Sequence, residues 1–479
     1  MRLVLVAFLL ASQLAAQSDV ALPPEVYAAR RARLAAQAAD AVIIVPGKYL
    51  IGEHDLPKQD PNFWYLTGVE SPYAVLVMAP GGRSLLFLPD SFQFAGAQFP
   101  MADSGFRRAM WNRAPWRLSP GASTARVTGM SEVHPVDSLL PRLAEIVAGA
   151  TTIQLPLSDD SLFAPPGLAR PLRTEQQFAR SIALRFPRHA LKDVTPAIRR
   201  LRLIKDEHEI AALRRAADIS AQSMRTLMHA VQPGMNDLEA AGILESEWKR
   251  LGSPRAAFAP IVGSGPHSMT FFTVMGERYN AVDRQMMAGE LLFVDYGAAE
   301  FRMYASDLCR TIPVSGRFTP VQRKYYDIVL EAQDSAMARV GPGVMMLDVI
   351  KAAAAVFRRH GLERYEDVER IGPDRVWGIM PSPTHYLARN AGITAYSRYG
   401  AGVRDIGHHV GLDATDSRDW SVPLAPGMVI TIEPKLYIPE LQIAIMIEDM
   451  IVVTASGYNN LSIGAPKRAA EIEALMRPR

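Results

Sequence analysis

The residue types best suited to chemistry gather in three stretches of the C-terminal half. The first holds Asp295, which closes the apolar run Leu291–Val294, and Asp307, twelve positions on. The second is Ile406 to Asp413, with His408 and His409 at its centre. The third holds Glu433 after Ile430–Ile432 and Glu448 after Ile443–Ile447. In each half of this third block an acid ends a run of β-branched residues. A carboxylate at the end of a buried strand is costly unless it is paired or bound to metal. Four of them brought together repel one another, and divalent cations are the natural remedy. Bridging carboxylates suit a pair of such ions, and His408 adds a nitrogen donor. Each residue alone is weak evidence, because an Asp after a strand is usually a turn or helix cap and a lone His is more often structural. The pattern taken together points to two divalent ions held by Asp295, Asp307, His408, Glu433 and Glu448.

Such residues need rigid elements to bring them together. Leu291–Val294, Met428–Ile432, Ile443–Ile447 and Met450–Val453 read as strands. A hairpin joining Asp295 to a second strand that contains Asp307 would bring both carboxylates to one place. Helices are expected over 237–251, 320–340, 346–360 and 467–476, and helical periodicity runs over 196–230 with a break at 205–208. Upstream, 24–39 reads as a helix and Ala41–Pro46 as a buried strand. Phe63–Gly68, Ala74–Met78 and Ser84–Leu88 are further strand candidates, with a hairpin turn at Pro80-Gly81-Gly82. This is an α/β domain with a mostly buried sheet, followed at about 190/191 by a second domain.

Size and composition agree with two domains. The chain has 479 residues, too many for one compact core, and is 49% hydrophobic and 21% charged, an ordinary globular balance. A net charge of +3 without a dense Lys/Arg run makes nucleic acid a poor partner. Arg2, the apolar run Leu3–Leu10 and the small residues after it have the order of a signal peptide over 1–17. That run is too short to span a bilayer, and no later stretch is long and apolar enough, so the mature chain is expected to lack a membrane span and to be exported, periplasmic or extracellular. The single cysteine, Cys309, cannot form a disulfide within the chain and reads as a small buried hydrophobe. His208-Glu209 lacks the second histidine of a zincin, Gly263-Ser264-Gly265 lacks nucleophile-elbow spacing, and no Walker A loop is present.

The three blocks resemble the pita-bread metallopeptidases, and within them the Xaa-Pro aminopeptidases (aminopeptidase P) and proline dipeptidases. The likeness extends to Leu201–Lys205, Ile261–Gly265 and Gly316–Pro320, and Gln59–Gly68 resembles the aminopeptidase P N-terminal domain. It implies an α/β (α+β) fold: an α/β aminopeptidase P N-terminal domain over 18–190, then a pita-bread catalytic domain over 191–479. It also implies a two-ion centre, commonly manganese, with Asp295 on one ion, Asp307 and Glu448 bridging, and His408 and Glu433 on the other. The implied substrate is a small peptide cut between its N-terminal residue and a following proline, and the implied assembly is a homo-oligomer. Glu433 is the natural proton acceptor beside a metal-activated water.

The residues around the ligands depart from that pattern. A family histidine ahead of the first Asp falls near Phe272, beside Phe271; the histidine four before His408 is Arg404; the one seven after it is Thr415; and the arginine two before Glu448 is Met446. The Asp295-to-Asp307 spacing is one residue longer than is usual in the family, which suggests a bulge. Arg404 brings in a permanent cation and joins Glu433 as a catalytic candidate, while His267, His385 and His409 are spare donors. Two alternatives stay open: a di-metal hydrolase of the same fold with another substrate, and a non-catalytic metal-binding relative.

Overall fold

The structure, a computed structural model, describes residues 22–38, 40–48, 58–89, 118–157, 174–269, 283–297, 301–362, 400–401, 406–417, 420–438 and 441–476. The described chain forms two compact units that meet in sequence at Leu201/Arg202.

The first unit is built on a six-stranded mixed sheet. Its strands are β1 (Ala41–Pro46), β2 (Val75–Met78), β3 (Ser84–Leu88), β4 (Glu132–Pro135), β5 (Thr152–Leu155) and β6 (Ala190–Asp193), in the order β4-β3-β2-β1-β5-β6. Strands β1 to β3 are buried along their whole length, which is why they read as unbroken apolar runs. Helices α1 (Pro24–Ala35), α2 (Pro61–Thr67), α3 (Ala122–Thr128), α4 (Leu139–Val147) and α5 (Thr174–Arg185) belong to this unit.

One expectation is corrected here: Phe63–Gly68 is not a strand, because Phe63 to Thr67 lie in α2. Asp60 caps that helix by accepting the Phe63 N–H at 2.7 Å, Pro61 takes the first turn, and Gly68 ends it with a left-handed φ of 68°. Phe63 to Thr67 are all buried, and a helix buried on every side has the composition of a core strand.

Helix α6 (Thr195–Leu203) carries the chain across the division. Asp206 then starts α7 (Glu207–Ala230) with a reciprocal capping box to Glu209, which accounts for the break at 205–208. The second unit adds α8 (Asp237–Arg250), α9 (Pro320–Met337), α10 (Met346–Arg359) and α11 (Ala469–Leu475). Three three-stranded sheets accompany them. One is β7 (Ile261–Ser264), β8 (Leu291–Asp295) and β9 (Cys309–Pro313). A second contains β10 (Gly400–Ala401), β12 (Lys435–Ile438) and β13 (Ile443–Met446). The third contains β11 (Val429–Ile432), β14 (Asp449–Thr454) and β15 (Gly457–Asn460). Apolar faces of α7 to α10 and of these strands share one large core.

The chain passes from the third sheet to the second at Glu433-Pro434 and returns at Ile447-Glu448. The pair Ile432↔Asp449 closes one ladder and Lys435↔Met446 opens the other, so the two crossings lie side by side. Gln333 on α9 donates to the carbonyls of both crossings, Ile432 at 3.1 Å and Ile447 at 3.0 Å. Backbone groups that lose ladder partners at the switch are satisfied by that one buried amide.

Candidate metal centre

Each acid of the cluster sits where a strand ends or changes sheet. Asp295 is the last residue of β8, opposite Cys309. Glu433 follows β11, and Glu448 falls between β13 and β14, its N–H donating to Cys309 O at 3.1 Å. Asp307 corrects an expectation, since it precedes β9 by two residues and is not within a strand. The Tyr296 N–H donates to Leu308 O at 3.2 Å, and there the ladder stops. Arg302 and Met303, with positive φ of 50° and 70°, turn the connecting loop, and the Ala305 N–H is held by Gly411 O at 2.8 Å.

His408 is seated against β11. Its N–H donates to Thr431 Oγ1 at 3.1 Å, its carbonyl accepts the Thr431 N–H at 2.9 Å, and the Glu433 N–H bonds to Ile406 O at 2.9 Å. A Cβ at position 407 would meet the Thr431 carbonyl, so Gly407 permits this close approach.

The five side chains are all buried, from 1% exposure at Glu448 to 6% at Asp295, His408 and Glu433. Donor atoms of Asp307, His408 and Glu448 lie within 4.8 Å of one another. His408 Nε2 is 3.4 Å from Asp307 Oδ2 and 3.7 Å from Glu433 Oε1. Burial and then the charge of Glu433 push the Asp295 carboxyl up to about 8, with Lys435 pulling the other way. Burial, followed by Asp307, Glu433 and Asp295, pushes Glu448 well above the ordinary carboxylate range, again against Lys435. Asp295 Oδ1 and Glu448 Oε2 are buried without a hydrogen-bond partner. Buried carboxylates that repel one another and leave oxygens unpaired, beside one imidazole, are the donor set that a divalent cation satisfies. The residues therefore fit a metal centre.

Two buried arginines hold this arrangement from outside. Arg310 on β9 donates to Glu448 O, to Cys309 O at 2.9 Å, to Asp449 Oδ1 at 2.7 Å, to Ala465 O at 2.9 Å and to Pro466 O at 2.9 Å. Arg202 pairs with Asp416 in the segment that follows His408. Lys435 escaped the reading of the sequence: its Nζ lies 3.0 Å from Glu433 Oε2. No signal in the sequence marked it, since Glu433 and Lys435 fall on either side of a change of sheet.

Other candidates fall elsewhere. Met446 is buried in a small apolar group with Ile261, Phe293, Cys309 and Ala444, and Thr415 is exposed. Cys309 is buried, and burial pushes its thiol well up. His409 packs on Trp420 with ring centroids 4.4 Å apart, and His267 Nδ1 lies 3.9 Å from Asp237 Oδ2. Arg404, Phe271, Phe272, His385 and the leader over 1–17 lie outside the described residues. Among the described residues no helix is long and apolar enough to cross a membrane.

Comparison with known proteins agrees with this geometry. Residues 211–455 match the model of metallopeptidase family M24, and residues 27–154 match that of the aminopeptidase P N-terminal domain. The chain is 30% identical over 435 residues to an Xaa-Pro aminopeptidase of Escherichia coli (strain K12), covering 88% of this chain and 89% of that protein. It is 27% identical over 455 residues to Xaa-Pro aminopeptidase 3 of Homo sapiens, covering 91% and 80%. Among solved structures, aminopeptidase PepP of Pseudomonas aeruginosa matches with a TM-score of 0.74 at 25% identity, over 95% of this chain and 98% of that one. A zinc-substituted E. coli aminopeptidase P in complex with product matches at 0.72 and 26%, over 96% and 100%.

Proposed function

The chain belongs to metallopeptidase family M24, and from that membership we propose that it is an exported aminopeptidase with two divalent ions, removing an N-terminal residue that precedes proline. That it is a metal-dependent peptidase with an α/β aminopeptidase P N-terminal domain and a pita-bread domain follows from the family. The observation that carries the finer reading is the gathering of Asp307, His408 and Glu448 within 4.8 Å, with Asp295 and Glu433 buried beside them. Asp295 would hold one ion, His408 and Glu433 the other, and Asp307 and Glu448 both. Manganese is the proposed metal, a small peptide the substrate and a homo-oligomer the assembly. Export rests on Arg2 and the apolar run Leu3–Leu10.

Bound divalent ions supply Lewis acidity, which polarises a scissile carbonyl and acidifies water. The chain's own contribution is positional. Glu433 has one oxygen engaged by Lys435, and its Oε1 faces His408 at 3.7 Å. The Glu433 carboxylate is the proposed proton acceptor during attack and the donor to the leaving amine. Burial of all five side chains excludes water from their charges, so each interaction acts at low dielectric.

Metal analysis of the purified protein combined with a screen of Xaa-Pro dipeptides and tripeptides tests this. Two ions per chain and cleavage before proline are expected. Purified protein that takes up no manganese, cobalt or zinc defeats the proposal. The buried apolar setting of Met446 supports a second reading, a di-metal hydrolase with another substrate. Metal uptake with hydrolysis only of peptides lacking proline at the second position would select it. N-terminal sequencing of native protein should find a start near residue 17 or 18, and an intact Met1 removes the export proposal.

A further inference from the structure

Lys435 opens β12 directly opposite Met446 of β13, so their side chains share one face of the ladder. The ammonium is nine-tenths buried, with a side-chain exposure of 10%, and lies 3.0 Å from Glu433 Oε2. The other oxygen, Oε1, accepts from Thr431 Oγ1 at 3.4 Å and faces His408 Nε2 at 3.7 Å. The two oxygens of Glu433 thus have different neighbours: one a cation of the chain itself, the other the remaining donors. A lysine ammonium has three donors and no acceptor, so it competes with a metal ion for a carboxylate and cannot replace a ligand.

The two proposed ion positions are therefore unequal. Asp307, His408 and Glu448 gather into one compact group. Glu433 would share its ion with His408, and one of its oxygens is already engaged by Lys435. A monovalent cation fixed at Glu433 repels a divalent ion that His408 and Glu433 would hold, at short range and low dielectric.

We propose that Lys435 is a resident cation of the carboxylate cluster, which restricts Glu433 to one metal-facing oxygen and weakens the ion position that His408 and Glu433 would share. It is a positioning residue, acting through Glu433 and through the occupancy of the second ion. The proposal rests on the two-ion reading above, and its test separates the failure of one from the failure of the other.

Manganese would be titrated into the chelator-treated full-length protein, with free ion followed by electron paramagnetic resonance and heat by calorimetry. The wild type should show one tight and one weaker step. Lys435→Met and Lys435→Gln should tighten the weaker step by about tenfold or more and leave the tight step nearly unmoved. Lys435→Arg, which keeps the charge, should reproduce the wild type. Melting curves confirm that each variant folds, and the glutamine variant serves where the methionine variant does not. A weaker step that is unchanged or loosened in a folded Met or Gln variant overturns the role of Lys435 alone. A wild type that binds no ion overturns the two-ion reading together with it.

Discussion

Arg202 and Asp416, 214 positions apart, form an ion pair buried at both ends. Lys205 Nζ takes the second Asp416 oxygen at 3.1 Å, so one carboxylate is held by two cations. The Asp416 N–H donates to His409 O at 2.8 Å, and the His409 N–H to Ser417 O at 2.9 Å, which fixes the segment beside His408. Burial raises the Asp416 carboxyl, but Arg202 and Lys205 outweigh it and hold it well below the ordinary range. Asp416→Asn removes the buried charge that Lys205 and Arg202 share, while Arg202 keeps Asp413 Oδ2 at 2.7 Å. It should lower stability in urea denaturation by about 3–5 kcal/mol and weaken manganese binding through His408. The wild-type carboxyl contributes stability that is complete above the ordinary Asp value of about 3.9 and is lost as pH falls through its depressed native value. Acid unfolding of Asp416→Asn should therefore be shallower than that of the wild type. An unchanged urea midpoint would sink this account.

Arg310 orders the opposite side of the cluster. Its guanidinium donates to four backbone carbonyls and to Asp449, including the carbonyl of Glu448 itself. Lysine has three donors on a rotating ammonium and cannot reproduce that fork. Arg310→Lys should therefore cost about 2–4 kcal/mol, as buried acceptors lose their partners. Metal content measured by mass spectrometry should fall with it, because Glu448 loses its backbone anchor. Wild-type stability and metal content in that variant would show that the fork is dispensable.

What was legible in the sequence was whatever contradicts its surroundings. An acid after Leu291–Val294, or after Ile430–Ile432, interrupts a buried apolar run, and the interruption is visible without coordinates. Lys435 gives no such contrast, because a lysine that opens a strand ordinarily faces water. Only the switch between sheets at Glu433-Pro434 turns it inward. Arg202 and Arg310 looked like unremarkable charges for the same reason, since their partners lie 214 and 139 positions away. The run Phe63 to Thr67 misled in the opposite direction: no charged residue within it marked a helical period. Asp307 was placed inside a strand because Leu308 and Cys309 follow it, whereas the ladder extends only as far as Leu308.

Arg404 lies outside the described residues, so its role rests on its place four residues before His408. Arginine is a permanent cation with a rigid donor fork suited to a carboxylate or a developing oxyanion. It cannot act as a base, so proton transfer stays with Glu433. Arg404→Ala should reduce kcat/KM by about tenfold or more, with metal content and Tm nearly unchanged. Full activity in that variant removes Arg404 from the catalytic set.

Asp295 predicts how metal removal and pH combine. Burial and the neighbouring Glu433 push its carboxyl up to about 8 in the folded chain, against about 3.9 in the unfolded chain. Between those values the folded state of the chelator-treated protein holds a proton that the unfolded state has released. Stability then falls as pH rises, with slope set by that proton difference. The Asp295 contribution is full below the ordinary Asp value and is lost as pH approaches about 8. Thermal melts of the chelator-treated protein from about pH 5 upward should therefore show Tm declining toward about 8. Asp295→Asn carries an amide that does not titrate, so its decline should be smaller. Manganese binds the ionised form, so adding it should flatten or reverse the slope in the wild type and do less in the variant. A chelator-treated wild type whose Tm is flat over this window would mean that Asp295 is ionised without metal, and that its burial is compensated by another group.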